Sequence, residues 1–292
     1  MKKILVPVDL SDKANIVCEY ALAYAKNFTS EILLYHVYFD QIVITDSSFP
    51  DSISMNTMYN EELIKEMMNQ SEKKLKELEQ NLLAKIRKEN IEGVSIRTEF
   101  SGGDIESELQ EKCFSYQPDL VVMGNRGEGK NVKTWGSIST YMVNHLQSPV
   151  MIIPEIKKFQ GFTHIMVGVD LDEGNKAMIE KVLALFTTFP VKLFCVHFLV
   201  SKKHREDEEA KFRSLKNSFP NEKFIGSISF EMFDIVEDNQ KAIDTYIKSH
   251  DIEVIAFQPH KRNIFYNLFT SNITKKNLFA TNIPLLAIPV AK

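Results

Sequence analysis

Three glycines and a serine, Gly124, Gly127, Gly136 and Ser137, lie between an apolar run and an amphipathic one, where they could cradle a phosphate. The apolar run Leu120-Val121-Val122-Met123 stops at Gly124, a basic stretch carrying Arg126 and Lys130 follows, and Gly136-Ser137 opens an amphipathic run. A strand, a glycine loop and a helix start in that order make a cradle for an anion. Glycine lets the main chain approach closely, and the first turn of a helix offers free N–H groups and positive dipole character. The expected ligand is a nucleotide or another phosphorylated molecule. The stretch Gly124–Asn131 also approaches the GxxxxGK pattern, but Asn131 stands where that motif needs a magnesium-binding hydroxyl.

Other groups with chemical potential are fewer. Asp9 ends an apolar run, where a carboxylate can meet a ligand or cap the next helix, although Ser11 or Asp12 can cap as well. His36 and His197 stand at matched strand ends with no nucleophile and acid partner in view, so they read as core or rim histidines. Cys18 falls on an apolar helix face and reads as a small buried hydrophobe. Lys202-Lys203-His204-Arg205 runs directly into acids and makes no nucleic-acid patch.

Bulk properties narrow the classes. A chain of 292 residues, 44% hydrophobic and 25% charged, is globular and long enough for two domains. A net charge of -4 gives no general reason to bind nucleic acid or an anionic membrane. Three scattered cysteines, with no CxxC pair, indicate neither a disulfide framework nor a zinc site. Met1-Lys2-Lys3 leads straight into ILVPV, too short for a signal core, and no apolar run reaches the length of a membrane span. The expected compartment is the cytoplasm.

The elements that must position these residues occur twice. KILVPVD, ending at Asp9, is echoed by HIMVGVD, ending at Asp170; ILLYHV, with His36, is echoed by LFCVHF, with His197. Position 170 against 9 and 197 against 36 give the same offset of 161. PVMIIP at 149–154 is echoed by PLLAIP at 284–289. Such self-similarity indicates an internal duplication. Within each copy short apolar runs alternate with helical patterns, the signature of a parallel α/β sheet. In the first copy strands are expected near 2–8, 31–38, 94–100, 119–123 and 150–153. Helices are expected from Ser11 or Asp12, with Ala14, Cys18, Ala21, Leu22 and Ala25 on one face, and from Tyr59 to Lys88. Two more are expected after Gly103-Asp104 and from Gly136-Ser137, with a loop or lid over 40–58 and a linker over 155–163.

The motifs VPVDLSDKA, LLYHV, SGGDIESEL and VVMGNRGEGKNVKTWGSIS, closed by SPVMIIP, resemble the universal stress protein family in its tandem two-domain form. The resemblance covers essentially the whole chain. It implies an α/β fold of adenine nucleotide alpha hydrolase-like type, with two tandem open-twisted parallel five-stranded sheets, strand order 3-2-1-4-5, flanked by helices. It also implies two domains, 1–154 and 163–292. In ATP-binding members the loop holds the same glycines; here eight residues separate Gly127 from Gly136, one fewer than the family pattern. The resemblance further implies that Pro7, Val8, Asp9 and Val37 line an adenosine pocket, with Asp9 on the ribose. Met123, Gly124, Arg126 and Gly127 would run under the nucleotide, and Gly136, Ser137, Ile138 and Ser139 would hold the phosphates. ATP would carry a bridging divalent metal, Mg2+ or Mn2+, but no carboxylate cluster marks a dedicated protein metal site.

The second copy departs from this pattern. After Phe257 it reads QPHKRNIFYNLFTSNITKKNLFATN, with no glycine and with Phe265, Tyr266 and Phe269 across the span. Close main-chain approach is costly there, so a degenerate domain that does not take nucleotide is expected. The apolar last strands, VMII and LLAI, are expected to meet and pair the two domains within the chain, with homodimerisation left open. The preferred reading is an adenine-nucleotide-binding stress sensor or regulator with at most slow hydrolysis. The alternatives are a non-nucleotide stress protein acting as an interaction or scaffold module, and, less favoured, a nucleotide hydrolase or transferase.

Overall fold

The computed structural model describes residues 1–38, 52–125, 137–154, 159, 161–199, 205–219, 226–234, 239–259 and 283–289, with backbone alone for 52–63 and 239–242. Two compact units divide it, Met1–Asp119 and Leu120–Lys292.

The first unit runs β1 (Lys2–Pro7), α1 (Ala14–Ala25), β2 (Ser30–Tyr38), α2 (Ser52–Lys88), β3 (Val94–Gly102) and α3 (Ile105–Tyr116). Its strands lie in the order β3-β2-β1, all parallel, with Ile4 opposite Ile32 and Ile32 opposite Ile96. Ile4, Leu5 and Val6 are fully buried in succession, as expected of a parallel strand covered on both faces. Helix α1 opens at Ala14, slightly later than expected, and is buried nearly all round: besides the predicted face, Val17, Tyr20, Ala23 and Tyr24 are buried. Its alanines explain the difference, since small side chains let neighbours approach from several directions. Helix α2 has 37 residues and packs through Leu75, Leu78 and Leu82, with Lys85 3.1 Å from Glu19 of α1.

Helix α2 begins at Ser52, seven residues ahead of Tyr59, so the expected loop over 40–58 is helical over 52–58. Residues 52–58 contain no glycine or proline and carry Ile53, Met55 and Met58, and Pro50-Asp51 precedes them in the way that helix starts favour. Residues 39–51 lie outside the described residues. At the end of β3, Gly103 has φ +143°, and a Cβ there would sit 3.1 Å from Glu108 Cγ, so this turn needs glycine. Asp104 then caps α3, accepting from the Ser107 N–H at 3.0 Å. The Ser107 N–H and hydroxyl hold the Asp104 carboxyl below its ordinary range.

The second unit begins with β4 (Leu120–Gly124), α4 (Ser137–His145) and β5 (Val150–Ile153). It continues through β6 (His164–Val169), α5 (Asn175–Leu185), β7 (Lys192–Leu199), α6 (Arg205–Asn217), β8 (Ser227–Asp234), α7 (Asn239–Ser249), β9 (Val254–Phe257) and β10 (Leu285–Ala287). Its strand order is β4-β5-β10-β9-β6-β7-β8. From β6 onward this is the 3-2-1-4-5 arrangement expected for one copy. Every pair is parallel except β5 with β10, where Leu286 lies opposite Met151 and Ala287 opposite Val150. All residues of β5 and β10 are buried. The two apolar last strands therefore cover one another's edges, as the edge argument expects.

A carboxylate clip recurs in each unit. Asp119 Oδ2 accepts from the Lys3 N–H at 2.8 Å while its own N–H donates to Lys3 O at 2.8 Å. Glu253 Oε2 accepts from the His164 N–H at 3.3 Å while its N–H donates to His164 O at 2.9 Å. Position 3 answers to 164 by the same offset as the sequence repeat, so the copies share hydrogen-bond detail as well as pattern. No helix among the described residues is long and apolar enough to cross a membrane.

Candidate functional site

In the first unit, Pro7, Val8, Asp9 and Val37 gather at the adjacent carboxyl ends of β1 and β2. In open α/β sheets that is the end where ligands bind. Val8 and Val37 are buried, Pro7 is half-buried and Asp9 is exposed. The Val8 N–H donates to Tyr35 O at 2.9 Å, continuing the ladder past β1. Asp9 Oδ1 accepts from the Ser11 N–H at 3.1 Å and the Ser11 hydroxyl at 2.8 Å, which closes a tight turn before α1. Leu10 stands at φ +58° inside that turn. Asp9 thus organises the β1–α1 turn and presents its carboxylate to solvent.

His36 bridges the same two strand ends, its Nδ1 2.8 Å from Val8 O. A carbonyl only accepts, so Nδ1 carries the proton and Nε2 keeps the lone pair in the neutral ring. Burial is the main influence on this ring and pushes its pKa below the usual range, opposed by the Val8 bond and the Asp9 charge. His197 repeats the bond to Val169 O at 2.8 Å, and its Nε2 lies 3.1 Å from Glu208 Oε2. Both histidines tie adjacent strand ends together.

In the second unit, β4 ends at Met123 and Gly124, followed by Asn125, and α4 starts at Ser137. Met123 is buried, Gly124 and Ile138 half-buried, Ser137 exposed and Ser139 buried. Ser139 Oγ donates to Asn125 O at 3.4 Å, and the Asn125 N–H donates to Ile153 O at 3.1 Å. The β4 end is therefore tied to both α4 and β5. Arg126, Gly127 and Gly136 lie outside the described residues, as do Lys130 and the aromatic stretch with Phe265, Tyr266 and Phe269.

The sequence reading passed over Asn125. Its side chain is 7% exposed and Oδ1 makes no hydrogen bond among the described residues. Buried polar atoms nearly always find a partner, so such an exception marks a position of interest. A signal was available: a carboxamide set between Gly124 and Arg126, where a loop residue would ordinarily face water.

None of the three cysteines offers a ready thiolate. Burial pushes the Cys18 and Cys113 thiols up to about 12 and Cys195 higher still. Among the described residues no cluster of three His, Cys, Asp or Glu could hold a metal ion.

The chain has an α/β fold with a mostly parallel sheet flanked by helices, in the order 3-2-1-4-5 over β6–β10. The family model described as "Universal stress protein family" matches residues 1–154. The chain belongs to the universal stress protein family. It is 31% identical over 159 residues to universal stress protein MJ0531 of Methanocaldococcus jannaschii, covering 54% of this chain and 84% of that protein. It is 26% identical over 156 residues to universal stress protein Sll1388 of Synechocystis, covering 52% of this chain and 96% of that protein. Among solved structures, a universal stress protein from Archaeoglobus fulgidus shares the fold over 98% of both chains, with a TM-score of 0.61 and 17% identity.

Proposed function

We propose that residues 1–154 form a domain that binds ATP or a related adenine nucleotide, and that the chain acts as a stress-linked sensor or regulator in the cytoplasm. Residues 163–292 form its degenerate partner domain. The observation that carries the reading is the meeting of strand and helix around the glycine stretch: β4 stops at Gly124 and α4 opens at Ser137. A helix start carrying hydroxyls and following glycines suits phosphate. In this reading Gly124, Gly127, Gly136 and Ser137 supply main-chain and hydroxyl donors, while Asp9 takes the ribose. Mg2+ or Mn2+ is bound through the phosphates and not by a protein cage. In this reading any hydrolysis is slow.

Calorimetric titration with MgATP tests this. Saturable binding is expected, and no heat of binding at millimolar ATP would overturn it. The second reading, an interaction module without nucleotide, is favoured by Phe114, 83% exposed on α3. It predicts no nucleotide uptake, and a partner lost on Phe114→Ser.

A further inference from the structure

In the second copy Gln258 fills the position that the first copy leaves to a glycine, and Asn175 fills the one that the first copy leaves to Ala14. Val121 pairs with Val150 and Ile255 with Leu285, and Val150 and Leu285 each follow the proline that opens the last strand. By that register Gln258 takes the place of Gly124. The Gln258 carboxamide lies against the start of α5: a Cβ built on Gly174 would be 2.7 Å from both its Nε2 and its Oε1. A side chain at 174 would meet the end of the Gln258 carboxamide and push it from this seat, which Gly174 leaves open.

The seat is not a good hydrogen-bonding one, since Gln258 Oε1 is buried and makes no hydrogen bond among the described residues. Burying a carboxamide oxygen unbonded works against stability, so the contact is not there to strengthen the fold. A second difference lies beside it. Asp170, the counterpart of Asp9, accepts at Oδ1 from Asn175 Nδ2 at 2.6 Å. Asn175 is fully buried and its Oδ1 accepts the Asp170 and Leu171 N–H groups. In the first copy the carboxylate accepts from the Ser11 N–H and hydroxyl and is exposed.

We propose that Gln258 is the plug that closes the carboxyl end of β9 to a nucleotide, and that its seat on Gly174, with Asp170 held by Asn175, restricts nucleotide to the first copy. This rests on the nucleotide reading of residues 1–154. A ligand seated at the β9 end as one would be at Gly124 would overlap the carboxamide. It also finds the ribose-seeking carboxylate already engaged.

The test is a titration of the full-length chain with MgATP, read for stoichiometry and affinity, beside an unfolding series. Wild type is expected to take one nucleotide per chain. Gly124→Gln, which copies the plug into the first copy, is expected to weaken binding at least 100-fold at unchanged melting temperature. Gly174→Val, which fills the seat, is expected to displace the Gln258 carboxamide and lower the melting temperature, and adding Gln258→Gly is expected to restore it. Two nucleotides per wild-type chain, or Gly124→Gln within threefold of wild type, overturns the plug while leaving the nucleotide reading intact. A neutral Gly174→Val overturns the seat. A wild-type chain that takes up no nucleotide overturns the nucleotide reading, and the plug with it.

Discussion

His36 Nδ1 lies 2.8 Å from the Val8 carbonyl oxygen, joining the end of β2 to the end of β1 at the position where Asp9 follows. The ring is half-buried and its pKa sits below the ordinary range, chiefly through burial. Unfolding releases that constraint. Below about pH 6.5 the unfolded chain takes a proton that the folded ring resists, so stability falls as pH drops through that value and is complete above it. Denaturant unfolding between pH 8 and pH 5 should show the loss, and His36→Asn, which keeps a donor near Nδ1, should flatten it. An unchanged pH slope in the variant would contradict this role.

Asn175 is the buried tie of the second copy, and its removal leaves the Asp170 and Leu171 N–H groups without their acceptor. Asn175→Ala should cost roughly 2–4 kcal/mol, since each buried donor left unsatisfied costs about 1–3 kcal/mol. Chemical denaturation measures it, and a loss under about 0.5 kcal/mol would show that the turn relaxes freely. The variant should leave any nucleotide affinity of residues 1–154 unaltered.

The β5–β10 ladder predicts a different sensitivity. Leu286 and Met151 are fully buried and lie opposite each other. Leu286→Ala should lower stability by about 2–4 kcal/mol, the range for truncating a buried leucine. Thermal unfolding checks this, and a change of less than about 1 kcal/mol would mean that the two edges are not closely packed.

Much of this architecture was legible in the sequence because apolar strands and repeated motifs carry their own signal. Ile4-Leu5-Val6, the matched histidines, the apolar edges VMII and LLAI, and the cap at Asp104 all stand where pattern and chemistry place them. The start of α2 was misread because Ser52 and Asp51 suit a loop as well as a helix cap. The all-round burial of α1 escaped notice because alanine shows no amphipathic contrast. Contacts between positions distant in sequence had no local signature at all: Gln258 against Gly174 links residues 84 positions apart, and neither residue type announces the other. Of the candidate site, the sequence supplied Pro7, Val8, Asp9 and Val37 as neighbours on adjoining strand ends, but not the buried carboxamide of Asn125.

Asn125 yields a further expectation. If its unbonded Oδ1 serves the glycine loop, Asn125→Leu, close in volume, should leave the fold at least as stable while weakening MgATP binding about tenfold, near 1.4 kcal/mol. Equal affinity in variant and wild type would assign the side chain to packing alone.

Native mass spectrometry of the full chain in MgATP tests the central claim most directly, with Gly127→Val measured alongside. One added nucleotide on the wild-type chain, absent from the variant at equal folded content, is the predicted result. A wild-type spectrum without adduct, or an adduct that survives in Gly127→Val, would contradict the account.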